Sequence, residues 1–161
     1  MKNALTLIWS LGLLAVSSAA IAQPLQHCRF DKSFLMTTSS KNDGKPSKIN
    51  QTVTNIYNLN NLQSQERIGT AIVKTTNIGL NSATTGPNAL YEQTSTLLFK
   101  DGTIVTLGMN DFDAEAYKYQ FERAIVGGTG KYSGITGSFV VTTEGNGQFK
   151  IVSHATIPCH Q

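Results

Sequence analysis

The side chains best suited to bind a small molecule lie on one short segment of the sequence, residues 117–126. Tyr117, Tyr119, Phe121 and Arg123 recur at every second position, a spacing that places them on one face of a β-strand. An arginine among aromatic residues has two interpretations. Its stem covers the core while the guanidinium reaches solvent at a strand end, or the guanidinium anchors a polar group of a bound ligand. We therefore take these four residues as the candidates for ligand binding.

The sequence shows no arrangement that indicates a catalytic nucleophile, such as a Ser-His-Asp or Cys-His set. The catalytic residues are therefore unknown at this stage, and it stays open whether the protein is an enzyme. Asp111, Asp113 and Glu115 form a small acidic cluster, which lacks the glycine and the downstream glutamate of an EF-hand. We expect this cluster to be a solvated turn, and we expect no cofactor.

The two cysteines, Cys28 and Cys159, lie near the ends of the chain once an N-terminal leader is set aside. In an oxidising compartment two such cysteines form a disulfide by default. This bond would place the two ends side by side, on adjacent strands. It would also bring His27 and His160 together, but two ligands do not complete a metal site. We expect exposed terminal histidines and no metal.

A glycine-rich segment at 126–131 superficially resembles a phosphate-binding loop. The resemblance fails because Tyr132 follows the lysine, where that loop needs Ser or Thr, and because the residues that follow favour a strand over a helix. We expect Gly127, Gly128 and Gly130 to form a tight turn between strands, where glycine allows positive φ and close approach of the backbone.

The first 22 residues have the order of a secretory signal peptide. Lys2 precedes an apolar run over 5–19, and Ala20-Ile21-Ala22 is a small-x-small cleavage site. The alternative is a retained anchor, but the apolar run is shorter than the ~20 residues of a membrane span. We predict cleavage after Ala22, no membrane span in the mature protein, a single domain over 23–161, and a secreted or periplasmic location.

Charge excludes one class of partner. The sequence has 13 Lys and Arg against 10 Asp and Glu, and removal of Lys2 with the leader narrows the difference further. Nucleic-acid binding needs a strong basic patch, so we expect no nucleic acid as a partner.

Alternating residues separated by turn sequences predict about eight strands and no sustained helix. Asp101-Gly102 is a strong hairpin signal, and residues 39–48 and 110–116 are polar connections, the second with room for one helical turn. Many short strands of this kind form a closed barrel or a sandwich. The predicted strands are 29–38, 51–59, 67–78, 90–99, 103–109, 117–126, 135–143 and 148–158.

The segment 122–132, followed by Gly134 and Gly137, resembles the signature of the allene oxide cyclase and dirigent protein superfamily. That signature is a short apolar strand, Gly-Gly-Thr-Gly, a basic or polar residue and an aromatic, which here is Tyr132. Residues 67–70 and 97–104 also resemble parts of the family, so that the resemblance covers roughly 67–157.

This resemblance implies an all-β fold, namely an eight-stranded antiparallel, calycin-like barrel with a hydrophobic cavity, assembled as a homotrimer or homodimer. It also implies small, largely apolar ligands such as oxidised fatty acids, phenolic radicals or polyketide-like chains. In such proteins the barrel imposes a conformation on a reactive molecule, which can lower a barrier without a nucleophile. Arg123 departs from the family, because dirigent proteins usually have an apolar residue at this place.

Three functions follow from these observations. The first is a barrel that binds a small hydrophobic molecule without chemistry, and the second is a cyclase or isomerase that steers such a molecule. The third is a structural or interaction module of the cell envelope whose barrel is filled by side chains. We rank the small-ligand barrel first and leave catalysis open.

Overall fold

The computed structural model describes residues 26–79, 90–111 and 120–159 of the chain. These residues are nearly all in β-strands, and their one helical element is a single 3-10 turn, Gly130–Tyr132. The strands are β1 His27–Phe30, β2 Ser33–Asn42, β3 Thr52–Asn61, β4 Arg67–Asn77, β5 Leu90–Phe99, β6 Gly102–Asp111, β7 Gln120–Gly128, β8 Thr136–Gly145 and β9 Gln148–Pro158.

Strands β2 to β9 form a closed barrel in which each strand pairs with its sequence neighbour, and β9 closes the sheet by pairing with both β8 and β2. Every pairing is antiparallel. The predicted eight-stranded antiparallel barrel is confirmed, and the sandwich is excluded.

One predicted strand, 29–38, is divided in two. The short strand β1 pairs with the end of β9, and the chain then turns at Lys32 into β2. The Lys32 amide donates to Ser153 Oγ at 2.8 Å, and the Lys32 carbonyl accepts from the Ser153 amide at 3.0 Å. These bonds satisfy the backbone where the strand is interrupted, which is why the sheet gains an extra strand.

Two polar connections differ from their predicted bounds. Strand β2 continues to Asn42 and shifts register against β3 after Thr38, so the connection is 43–51. Asn110 and Asp111 belong to β6, whereas 112–119 lie outside the described residues. The connection between β4 and β5 also lies largely outside them, since 80–89 are not among the described residues.

Inward-facing residues alternate with outward-facing ones along the strands, as the two-residue period requires. Strand β9 follows this alternation, with buried Ile151, Ser153 and Ala155 separated by exposed or half-buried residues.

The two ends of the barrel interior differ in composition. At the end that holds β1 and the β5–β6 and β7–β8 turns, the interior is a packed apolar core. Tyr132 covers this end, with its ring 5.9 Å from that of Phe30 and 5.1 Å from that of Phe99. We call this the closed end, and we call the other, where inward positions are largely polar, the open end. The closed-end core includes Phe30, Phe34, Leu59, Ala71, Leu97, Ile104, Ile135 and Phe139.

The predicted disulfide is confirmed at the closed end. Cys28 and Cys159 are bonded, with their Cα atoms 5.2 Å apart, and the Cys159 amide donates to the Gln26 carbonyl at 2.7 Å. The two ends of the described chain therefore lie on the adjacent strands β1 and β9, as expected.

The glycine-rich segment is also a closed-end structure, but its predicted conformation was partly wrong. Gly127 and Gly128 are the last residues of β7, and the turn begins at Gly130, which has a φ of 59°. A Cβ on Gly128 would lie 2.2 Å from the Tyr132 carbonyl oxygen, whereas one on Gly127 would meet nothing within 4 Å. Close approach of the backbone therefore explains why a glycine is required at position 128, and positive φ explains why one is favoured at position 130. Neither reason applies to Gly127.

Candidate functional site

A pocket of about 490 Å³ opens into the barrel at the open end. A volume of this size is typical of sites for small molecules. Its apolar lining comes from side chains of six strands, and no acidic residue is among the described residues that line it. The apolar and aromatic lining residues are Met36, Tyr57, Val73, Tyr91, Phe121 and Phe149.

Arg123 lies inside the barrel and lines this pocket. Its side chain is only 5% exposed, so the interpretation in which the guanidinium reaches solvent is wrong. The backbone explains the position, because Arg123 pairs with Phe139 on β8 and follows the inward period of β7. The guanidinium carbon also lies 4.9 Å from the centre of the Phe121 ring, a cation–π distance.

A network of neutral side chains holds the guanidinium. Arg123 Nη1 donates to Ser95 Oγ at 2.8 Å, and Nη2 donates to Gln93 Oε1. Gln93 Oε1 also accepts from Asn110 Nδ2 at 2.7 Å, and Gln93 Nε2 donates to Thr75 Oγ1 at 3.1 Å. The network fixes the position of Arg123 but contributes no negative charge.

The buried guanidinium has no carboxylate partner among the described residues, in which the only ion pair is Arg29–Asp31 on the surface. Burial lowers the pKa of Arg123 to about 10, and nearby Tyr57 opposes part of that shift. Arg123 is therefore still protonated at neutral pH. A cation that is buried without a counter-charge is costly in free energy, which makes this residue the most unusual feature of the pocket.

A second cation, Lys45, lines the pocket from the 43–51 connection. Asn55 holds this connection against the barrel: its Oδ1 accepts from the Asp43 amide at 2.8 Å, and its Nδ2 donates to the Gly44 carbonyl at 2.9 Å. Pro46 of the same connection is fully buried. The connection is therefore a fixed wall of the pocket.

Three buried polar atoms near the inner wall have no hydrogen-bond partner within the described part of the chain: Thr106 Oγ1, Asn110 Oδ1 and Thr143 Oγ1. Thr143 also lines the pocket. Buried polar atoms are normally satisfied, so a ligand or ordered water is the natural partner for a hydroxyl at this place.

The structure brings together two of the four sequence-predicted ligand-binding residues, Phe121 and Arg123. Tyr117 and Tyr119 lie outside the described residues. Sequence reasoning missed Gln93, Tyr57 and Phe149, although a signal for the first was available. Polar residues recur at alternate positions on the inward face of several strands, and this pattern predicts a polar section of the barrel interior. They are Asn55, Thr75, Asn77, Gln93, Ser95, Thr106 and Asn110.

Neither a metal cluster nor a membrane-spanning helix is found within the described ranges. No three His, Cys, Asp or Glu side chains in 26–79, 90–111 and 120–159 come close enough to hold a metal ion. Over the same residues, no helix is long and apolar enough to cross a bilayer. His160 lies outside these ranges, so the histidine pair at the chain ends is not described.

The protein is thus a small closed antiparallel barrel with a ligand-sized pocket at one end. No protein-family model matches the chain, and no curated protein matches it by sequence. Solved structures with the same barrel do match, at low sequence identity. An exo-specific intermolecular Diels-Alderase has a TM-score of 0.62 at 17% identity, covering 81% of this chain and 98% of the other.

Two further solved structures match the barrel with comparable TM-scores and sequence identities. A pyocyanin demethylase has a TM-score of 0.59 at 16% identity, covering 77% of this chain and 98% of the other. A pterocarpan synthase dirigent protein has a TM-score of 0.56 at 17% identity, covering 86% of this chain and 99% of the other. The resemblance to the allene oxide cyclase and dirigent barrel is therefore confirmed at the level of the fold.

Proposed function

We propose that this protein is an exported barrel that binds a small, largely apolar molecule at its open end and steers the cyclisation or isomerisation of that molecule. The pocket of about 490 Å³ with its aromatic walls carries the proposal. The alternative, a structural or interaction module with a filled barrel, is less favoured, because the described side chains pack the closed end and leave a pocket at the open end.

Orientation is the catalytic effect that this pocket could supply. An intramolecular cyclisation or isomerisation conserves every atom of the substrate, and walls that hold a flexible chain near its reactive geometry lower the entropic part of the barrier. The fold is shared with a protein described as an exo-specific intermolecular Diels-Alderase, which supports a role of this kind. A panel of epoxides and polyenes, assayed for isomeric products with and without the protein, tests it.

Binding is tested with N-phenyl-1-naphthylamine, a neutral dye whose fluorescence rises in apolar surroundings. We expect saturable binding to the wild type. Thr143→Phe should weaken it about tenfold or more, because the ring enters the pocket, and Thr143 Oγ1 gives up no described hydrogen bond. Thr142→Phe is the matched control, since Thr142 lies on the opposite face of β8. Absence of saturable binding to the wild type would favour the structural module.

Export and assembly are further parts of the proposal. The Cys28–Cys159 disulfide supports an oxidising location, and an intact mass of the exported protein that begins at Gln23 would establish cleavage after Ala22.

For a homotrimer or homodimer, the exposed apolar side chains Leu107, Met109 and Val126 on neighbouring strands offer a surface. Sedimentation equilibrium of the mature protein measures the assembly, and a monomer at all concentrations would contradict it.

A further inference from the structure

The charge of the pocket is more informative than its shape. Its described lining contains two cations, Arg123 and Lys45, and no acidic side chain. An apolar ligand alone gives no reason for a buried guanidinium, because desolvation of that cation is unfavourable. A ligand that carries a negative charge supplies a counter-charge that the described lining residues do not supply.

The guanidinium is prepared for such a partner. Two of the five N–H donors of an arginine are used by Ser95 and Gln93, and no described carboxylate accepts from the others. Phe121 lies against the guanidinium, which together with the neutral network limits its movement. A planar guanidinium whose remaining donors are not used by the described residues matches the two oxygens of a carboxylate.

Arg123 also lies at the floor of the pocket. It borders a second, very small void of about 10 Å³ between the pocket and the closed-end core, which Leu97 and Phe139 also line. A ligand that enters from the open end therefore meets Arg123 last, and its apolar remainder lies between Tyr57, Tyr91 and Phe149. The Thr143 hydroxyl, which has no hydrogen-bond partner among the described residues, is a further donor on this wall.

We propose that the ligand of this pocket is a small carboxylate with an aromatic or polyene body, and that its carboxylate binds Arg123 at the pocket floor. This inference rests on the proposed function, in which the pocket binds a small molecule. It narrows the substrate class to molecules with an acidic end.

The test compares 2-naphthoate with neutral 2-naphthamide as competitors of N-phenyl-1-naphthylamine. A charge-assisted pair predicts that the wild type binds the naphthoate about 10–100-fold more tightly than the amide. Arg123→Gln should reduce that ratio to about one while the neutral dye still binds. Arg123→Met is a second variant in case the glutamine variant does not fold, and Lys74→Gln is the control, since it removes an exposed charge outside the pocket.

The outcomes separate the two proposals. A wild type that binds the dye but shows no preference for the naphthoate overturns this inference alone. A preference that survives in Arg123→Gln and Arg123→Met but is lost in Lys45→Gln also overturns it. Absence of any binding of dye, naphthoate or amide, measured by fluorescence and by calorimetry, overturns the proposed function.

Discussion

The closed and open halves of the barrel interior are built by the same strands, but their compositions differ. The closed half is packed with apolar side chains, whereas the open half has polar side chains and a pocket. Strand β5 has Leu97 in the packed core but Gln93 and Ser95 in the polar half, and β4 changes in the same way from Ala71 to Thr75. The closed half also contains the disulfide and the ring contacts of Tyr132. We infer that the closed half supplies most of the stability, so that the open half can hold a pocket and a buried charge with no carboxylate partner among the described residues.

The largest effect is expected from matched truncations in the two halves. Phe139 is 1% exposed in the closed-end core, so Phe139→Ala should lower the free energy of unfolding by about 3–5 kcal/mol. Phe149 is half-buried and lines the pocket, so Phe149→Ala should cost about 1–2 kcal/mol. Urea denaturation measures both losses of stability. Equal losses would contradict the inference that the closed half contributes more to stability than the open half.

Removal of the disulfide should separate stability from binding. The bond joins residues 131 positions apart, and loss of such a cross-link typically costs about 2–5 kcal/mol. The double variant Cys28→Ala/Cys159→Ala should show this loss in denaturation. Its affinity for N-phenyl-1-naphthylamine should be unchanged at a temperature where it is folded; a weakened affinity would mean that the two ends are coupled.

A neutral replacement of Arg123 should stabilise the protein. The pKa of Arg123 is lowered by burial to about 10, so the folded protein holds this proton less tightly than the unfolded chain, and below about pH 10 the buried charge opposes folding. Arg123→Met should therefore raise the free energy of unfolding by about 1–3 kcal/mol. A strong destabilisation would show that Arg123 serves the structure of the barrel.

The affinity for 2-naphthoate should depend on pH in one direction. The protonated guanidinium is the binding form, so affinity should be constant from pH 6 to pH 8.5 and fall several-fold by about pH 10.5, as the pKa of about 10 is passed. Arg123→Gln should show no such fall. If the affinity of the wild type for 2-naphthoate has the same pH dependence as that of Arg123→Gln, a group other than Arg123 binds the carboxylate.

Much of the fold was predictable, because the two-residue alternation of strands and the residues that form turns depend only on neighbours in the sequence. The Asp101-Gly102 hairpin and the faces of β9 follow from their own residues. The break at Lys32 was not predictable, since it depends on Ser153, 121 positions away in sequence. The site was harder still: Arg123 stood out on its strand, but its burial depends on Gln93 and Ser95, which only closure of the barrel brings to it.

The most direct test of carboxylate binding at Arg123 follows the side-chain Nε–H signal of this residue by NMR as 2-naphthoate is added. We expect a large, saturable shift of this signal, while the backbone amides of the closed-end residues Leu97 and Phe139 change little. An Arg123 signal that stays in place, while shifts occur only on the outer surface of the barrel, would contradict a carboxylate-binding site at the open end.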